Sequence, residues 1–482
     1  MYREEMEKDK EKISKATKEL AEKLLYRPKS VWDSVDDAER KKIFTLGDDY
    51  KSFLDAAKTE RLAVTEIVKR AKAAGFTDEG GKGVKGPLKK CYKTDKKKTA
   101  ALVVPGKGDP TGGLNVIVSH IDSPRLDLKQ RPLYEEVELA LLKTHYYGGI
   151  KKYSWVSRPL AIYGVIVKGD GTEVEVAIGD DPNDPVFTVS DLLIHLAGKA
   201  QMDKKVGEAV PGEKLNLLFG SIPFEDREAN ERVKLFALKL LNEKYNIVEE
   251  DLISAELEVV PVGQSRDIGL DRSLVGGYGQ DDRASAFTSL RAVLDAGEVE
   301  RTAVVYFLDK EEIGSEGVTG ARGRFIEEVV HDILAAVKGE VRADDLMRTL
   351  SNSRCLSADV NGALDPDWQE VHEKRNAARL GYGVCITKFT GSRGKFGASD
   401  AQAELVGSIR KLFNDNGVVW QFGELGKVDE GGGGTIAKDM AARGMNVLDC
   451  GPVLLDMHSP FEISSKADVY MAYKGYRIFL ES

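Results

Sequence analysis

Five side chains able to ligate a divalent cation stand just past strand-like runs or at the start of a helix-like one. They are His120 in SHIDSPRLDLK, Asp281 in GYGQDDRASAF, Glu312 in FLDKEEIGSEG, Asp359 in SADVNG and His458 in DMHSPFE. A mixed set of imidazoles and carboxylates suits zinc, and less exclusively manganese or cobalt. Two imidazoles and three carboxylates hold two ions if one carboxylate bridges them, and ions paired ~3.5–4 Å apart are a recurring hydrolytic device. Each element alone says little. A histidine at a strand end is more often structural, a Glu-Glu pair is usually a solvated turn, and Asp282 with Arg283 reads equally as a surface ion pair. The weight lies in the order: His-x-Asp, Gly-x-Asp-Asp, Asp-x-Glu-Glu-x-Gly-Ser, Ala-Asp, His-Ser.

The elements that must position these residues are legible around them. AALVVP (100–105) and LNVIVSH (114–120) are apolar runs of buried-strand type, the second ending at His120. RTAVVYFLDKEE (301–312) is a strand running into acids, RCLSADV (354–360) ends in Asp359, and MNVLDCGP (445–452) is a further strand. Helical spacing marks Ile13–Leu25, Leu54–Ala74, 281–297, 399–414, 435–443 and 464–480, with Asp281 and Asp282 at the start of the third of these, where carboxylates suit the helix dipole. Strands alternating with helices predict an α/β fold, with a mostly parallel central sheet covered by helices and a site at the carboxyl ends of its strands. Residues 132–265 differ. LAIYGVIVKGDGTEVEVAIG (160–179) reads as a hairpin turning at Asp170-Gly171, and a helical stretch lies near 226–244. The expected organisation is one domain from 1–131 and 266–482, interrupted by an inserted β-rich domain at 132–265.

Length and composition agree. At 482 residues the chain exceeds one ordinary core. Its 42% hydrophobic and 31% charged residues are a globular balance. A net charge of -9 gives no global reason to bind nucleic acid or an anionic membrane. The local exception, Lys85, Lys89, Lys90, Lys93, Lys96, Lys97 and Lys98, reads as a solvated loop or strand edge. Cys91, Cys355, Cys385 and Cys450 are scattered and form no C-x-x-C pair, which predicts free thiols in a reducing compartment. With no signal-peptide pattern in MYREEMEKDKEKISKATKEL and no run of ~18 apolar residues, a cytoplasmic location is expected.

As a set, SHIDSPRLDLK, LDKEEIGS, SADV and MHSPFE resemble the aspartyl-aminopeptidase family of two-zinc metallopeptidases, in particular its bacterial branch, from about residue 20 to 482. The resemblance implies that Asp281 bridges two metal ions, that His120 and Asp359 complete one site, and that Glu312 and His458 complete the other. It implies Glu311 as general base and Asp122 as acceptor of the His120 imidazole N–H, a common supporting arrangement. It further implies a homo-oligomer built from dimers through the inserted domain, up to a tetrahedral dodecamer, acting on short peptides. Lys388 in CITKFTG matches a substrate-facing lysine whose charge suits an acidic N-terminal side chain. His195 in SDLLIHLAG matches a histidine that approaches a neighbouring subunit's site. GGGGTIAKD (431–439) resembles a glycine-rich turn before a helix. TGSRGKFGASDA and SADVNGALDPD depart from the family's pattern and leave strict acidic preference open.

The chemistry expected of such a site is hydrolysis of an N-terminal peptide bond. Paired cations make hydroxide available near neutral pH and polarise the carbonyl, while a carboxylate moves the proton. Two other readings share these residues: a deacylase or carboxypeptidase on the same centre, and a non-catalytic self-assembling scaffold or cargo protein.

Overall fold

The computed structural model describes residues 15–78 and 88–482. The start of the helix expected from Ile13, and Lys85 of the basic run, lie outside them.

A nine-stranded sheet carries the site. The strand Asn115–His120 is at its middle, pairing in parallel with Ala303–Leu308 on one side and Arg354–Ser357 on the other, and the latter pairs in parallel with Asn446–Gly451. All six residues of NVIVSH and all six of AVVYFL are buried. That is why they read as unbroken apolar runs rather than alternating ones. Because three of these strands point the same way, His120, the turn after Leu308 and the bend after Ser357 emerge at one edge. The flanks are mixed: Thr99–Val104 is antiparallel to Ala303–Leu308, and Val384–Thr387 is antiparallel to Asn446–Gly451.

Helices pack on both faces. Gln280–Leu294 lies against the Asn115–His120 strand and between the helices Asp37–Ala56 and Lys466–Glu481. Covered on all sides, it buries Ala284, Phe287, Leu290 and Val293 together with Ser285 and Thr288, so its pattern lacks a polar face. The opposite layer holds Phe325–Lys338, whose Phe325, Ile326, Val329, Val330 and Ile333 sit on one face. Burial of such side chains contributes roughly 1.5–3 kcal/mol each.

A second sheet of seven strands is built from segments between Arg125 and Pro261. It has its own apolar cluster around Trp155, Leu217 and Val259 and is covered by the helix Arg232–Tyr245, which buries Val233 and Ala237. Its first strand, Arg125–Glu136, leaves the central sheet five residues after His120. The boundary expected between 131 and 132 therefore falls inside a strand, because no turn separates the two units there. The hairpin at Asp170-Gly171 is present, with Gly171 at φ 85° and its N–H donated to the Lys168 carbonyl.

A third sheet, of five short strands, was not anticipated. It includes Leu274–Gly277, Val453–Leu455 and Glu462–Ser465. Strands of three or four residues are too short to show a period. The basic run also holds a surprise. It forms the hairpin Cys91–Asp95 and Thr99–Val104, but Lys98 is only 9% exposed and pairs with fully buried Glu60 at 3.0 Å.

Candidate metal centre

His120 is the last residue of its strand and is 1% exposed. Its Nε2 is 3.1 Å from Asp281 Oδ1 and 3.9 Å from Asp359 Oδ1. Asp281 lies at the kinked entry to the helix Gln280–Leu294, with non-helical φ −83° and ψ 106°, behind Gly279, whose φ of 74° and lack of a Cβ admit Arg283 beneath it. The other Asp281 oxygen, Oδ2, is 3.2 Å from Nε2 of His458, which also lies 3.5 Å from Glu312 Oε2. His458 sits in the left-handed region at φ 66°, between two strands of the third sheet, and Lys310 turns the chain into Glu311 and Glu312 in the same way at φ 69°. Two three-residue groups thus converge, His120–Asp281–Asp359 and Asp281–Glu312–His458, each with one ligand atom per residue inside a 4.8 Å circle.

Supporting groups fix these side chains. His120 Nδ1 is 3.0 Å from the Asp122 carbonyl and 3.3 Å from Asp122 Oδ1. The Asp122 carboxylate accepts the Glu311 N–H at 3.1 Å, the Glu312 N–H at 3.2 Å and the Tyr147 O–H at 2.8 Å. His458 Nδ1 is 2.8 Å from the Gly149 carbonyl. Glu462 accepts the N–H groups of Gln280 (2.5 Å), Asp281 (3.2 Å) and His458 (2.8 Å), tying together the segments that carry two of the facing ligands. Glu462, Tyr147 and Gly149 were not anticipated. An acid four residues after His458 was the one available signal; a tyrosine ending a strand of the second sheet and a glycine in the bend after it offer none.

The electrostatics are those of a cation site. Burial and the neighbouring acids hold the Glu312 and Asp359 carboxyls well above the usual range. Glu311 is pushed up to about 7 by burial and by Asp122 and Asp281. Burial opposes charge on His458, yet its bond to Asp281 and the charge of Glu312 raise it to about 10. Asp281 is lowered despite its burial, because both imidazoles hydrogen-bond to it. Buried Glu312 Oε1 has no hydrogen-bond partner. Acids packed this closely with an orphan oxygen are costly without a counter-charge, and the nitrogen–oxygen donor set fits zinc or a similar divalent ion.

A cleft of about 430 Å³ opens over these residues. Glu311 lines it, as do the five candidate ligands and the run Gly431–Thr435. Lys388 does not line it; its ammonium pairs with Asp400 at 2.7 Å, although Thr387 and Phe389 on either side are lining residues. His195 is exposed on the inserted sheet's periphery and is not a lining residue of this chain's cleft.

Comparison with known proteins gives the same direction. Residues 53–480 match the family described as aminopeptidase I zinc metalloprotease (M18). The probable M18 family aminopeptidase 1 of Clostridium acetobutylicum is 50% identical over 463 residues, 95% of this chain and 99% of that one. The crystal structure of an M18 aminopeptidase from Thermotoga maritima superposes with a TM-score of 0.90 at 47% identity, covering 95% of this chain and 100% of that one. The yeast mApe1 dodecamer shares the fold, with a TM-score of 0.72 at 21% identity, covering 90% of this chain and 95% of that one. Matched along nearly its whole length, and carrying two histidines and three carboxylates around one cleft, the chain belongs to the M18 family and is a zinc-type metallo-aminopeptidase.

Proposed function

We propose that the centre holds two divalent ions sharing Asp281, with His120 and Asp359 completing one site and Glu312 and His458 the other, and that it removes N-terminal residues from short peptides. The observation that carries this reading is the placement of the two Asp281 oxygens, each 3.1–3.2 Å from the imidazole of a different group. Bound divalent ions supply Lewis acidity, which acidifies water and polarises a carbonyl. Glu311 takes the proton from the attacking water and delivers it to the amine that leaves as the C–N bond breaks. Its backbone N–H is held by Asp122, so the base is aimed by the group that also orients His120. Glu312, adjacent in sequence, faces His458 instead and serves as a ligand. Glu311→Gln tests this division: it should keep the metal and lose hydrolysis by about 10²–10⁴-fold, and near-normal turnover would refute the assignment.

Exopeptidase action distinguishes this reading from a deacylase or carboxypeptidase on the same centre. A free-amine peptide should be cleaved and its N-acetylated form should not. A pure scaffold would bind no metal tightly. Preference for acidic N-terminal residues is the finer part of the proposal. It is supported by Lys388 standing between two lining residues, and Lys388→Ala should then penalise aspartyl over leucyl substrates. Self-association through the inserted domain is supported by the exposed run Leu193 (54%), Ile194 (68%) and Leu196 (65%) around His195, an apolar stretch that subunit contact would cover. The buried thiols of Cys355, Cys385 and Cys450 suit a reducing compartment such as the cytoplasm. Among the described residues no helix is long and apolar enough to cross a membrane.

A further inference from the structure

The cleft lining carries both signs of charge. Beside the acid-rich centre, the glycine-rich run and its surroundings bring Lys438, Lys427 and Arg393 to the same cleft, together with one acid, Glu424. Among the described residues none of these three cations is paired with a carboxylate. Lys427 and Arg393 are exposed at the rim, whereas Lys438 is half-buried. Its Nζ lies over Gly434, where a Cβ would come within 3.2 Å of it, so the absence of a side chain there leaves the ammonium room. Lys438 is also the lysine whose charge acts on Glu311. Lys438 and Glu311 line the same cleft.

From this we propose that Lys438, supported at the rim by Lys427 and Arg393, forms a subsite for the α-carboxylate of the residue leaving from the scissile bond. The inference rests on the aminopeptidase reading above and narrows its substrate class to dipeptides with a free C-terminus. A dipeptide zwitterion matches this lining: its amine suits the acids of the centre and its carboxylate suits the unpaired lysine. In a longer peptide or an amide that position is neutral, and the half-buried ammonium gains no partner. The volume of about 430 Å³ is near the small end of ligand pockets. The contact exists in the bound substrate as well as in the transition state, so its loss acts mainly on KM.

The test compares Leu-Leu with Leu-Leu-amide, and with Glu-Leu and Glu-Leu-amide, in the zinc-loaded wild-type protein, Lys438→Met and Lys438→Arg. The wild type should favour each free acid over its amide by about tenfold in kcat/KM, the size of one charge-assisted contact. Lys438→Met should bring that ratio close to one, through KM, and Lys438→Arg should retain most of it. Because the readout is a ratio within one protein, partial loss of folded material does not mimic it. Equal rates for acid and amide in the wild type overturn the proposal. So does an unchanged ratio in Lys438→Met, or a loss confined to the glutamyl substrates, which would move Lys438 to the N-terminal side chain. Wild-type protein that cleaves none of the four peptides overturns the aminopeptidase reading itself.

Discussion

Tyr147, from the seven-stranded second sheet, donates its phenolic O–H to Asp122 Oδ2 at 2.8 Å. Asp122 is in turn the acceptor for the backbone of Glu311 and Glu312 and the neighbour of His120 Nδ1. One hydrogen bond thus joins the second sheet to the segments of His120, Glu311 and Glu312. Tyr147→Phe keeps the ring, over which the Arg125 guanidinium stacks at 4.0 Å, and deletes only the donor. We expect a cost of ~1 kcal/mol in stability and about tenfold weaker zinc binding, measured by thermal melting and by competition with a chelator. Unchanged zinc affinity would show that the inserted sheet does not orient the centre.

Arg125 belongs to a buried charge cluster. It lies 3.5 Å from Glu60 and 3.3 Å from Glu258, and Glu60 also pairs with Lys98 at 3.0 Å. Burial opposes ionisation of Glu60, but the two cations outweigh it and hold its carboxyl well below the usual range. Glu60→Ala leaves both cations buried beside fewer acids, and removing one partner of a buried pair typically costs ~3–5 kcal/mol. Urea unfolding should show a loss of that order, and a loss under ~1 kcal/mol would mean that the cluster behaves as a surface network.

Proton linkage follows from the raised pKa values. In the metal-free protein Glu311 is raised to about 7 and Glu462 to about 8, chiefly by burial. Both sit above the ordinary carboxylate value, so between about pH 4.5 and 8 the folded state holds more protons than the unfolded chain, and stability falls as pH rises. Cations offset the ionised acids. His458, raised to about 10, must also shed its proton to ligate. The gap in melting temperature between zinc-loaded and metal-free protein should therefore widen from pH 5.5 to 8, and calorimetry in buffers of different ionisation enthalpy should show proton release on zinc binding. A gap that narrows with pH, or binding without proton release, would contradict the charge assignment.

Gly279 holds φ 74°, and a Cβ there would lie 1.8 Å from Arg283 Nη1. Gly279→Ala, two residues before Asp281, therefore combines backbone strain of about 1–2 kcal/mol with displacement of Arg283. We expect lower metal content together with a lower melting temperature. Full metal content in a normally stable variant would mean that the helix start tolerates the shift.

The parts of the site that were legible in the sequence are those that lie where apolar runs end. His120, Glu312 and Asp359 follow three parallel strands whose burial on both faces makes them continuous apolar text. Asp281 was visible as one of an acidic pair before a helical run, but its backbone, at φ −83° and ψ 106°, is not part of the regular helix that was expected to start there. His458 was visible only as a member of the ordered set, since the strands around it are too short to show a period. Tyr147 and Glu462 act through hydrogen bonds across 25 and 181–182 residues, a separation no local pattern encodes. Lys98 was hidden for the opposite reason: a lysine among lysines reads as solvated, and its buried partner Glu60 lies in a distant helix. The second sheet showed its hairpin in the sequence but not its edge, because the strand Arg125–Glu136 runs through residues 131 and 132 without a turn.

Metal counted per folded chain tests the shared Asp281 most directly. By elemental analysis after dialysis against zinc, the wild type should hold two ions per chain, Glu311→Gln should also hold two while losing hydrolysis, and Asp281→Ala should lose both because each group of ligands uses that residue. Two ions retained in folded Asp281→Ala, or a single ion in the wild type, would contradict the bridged centre.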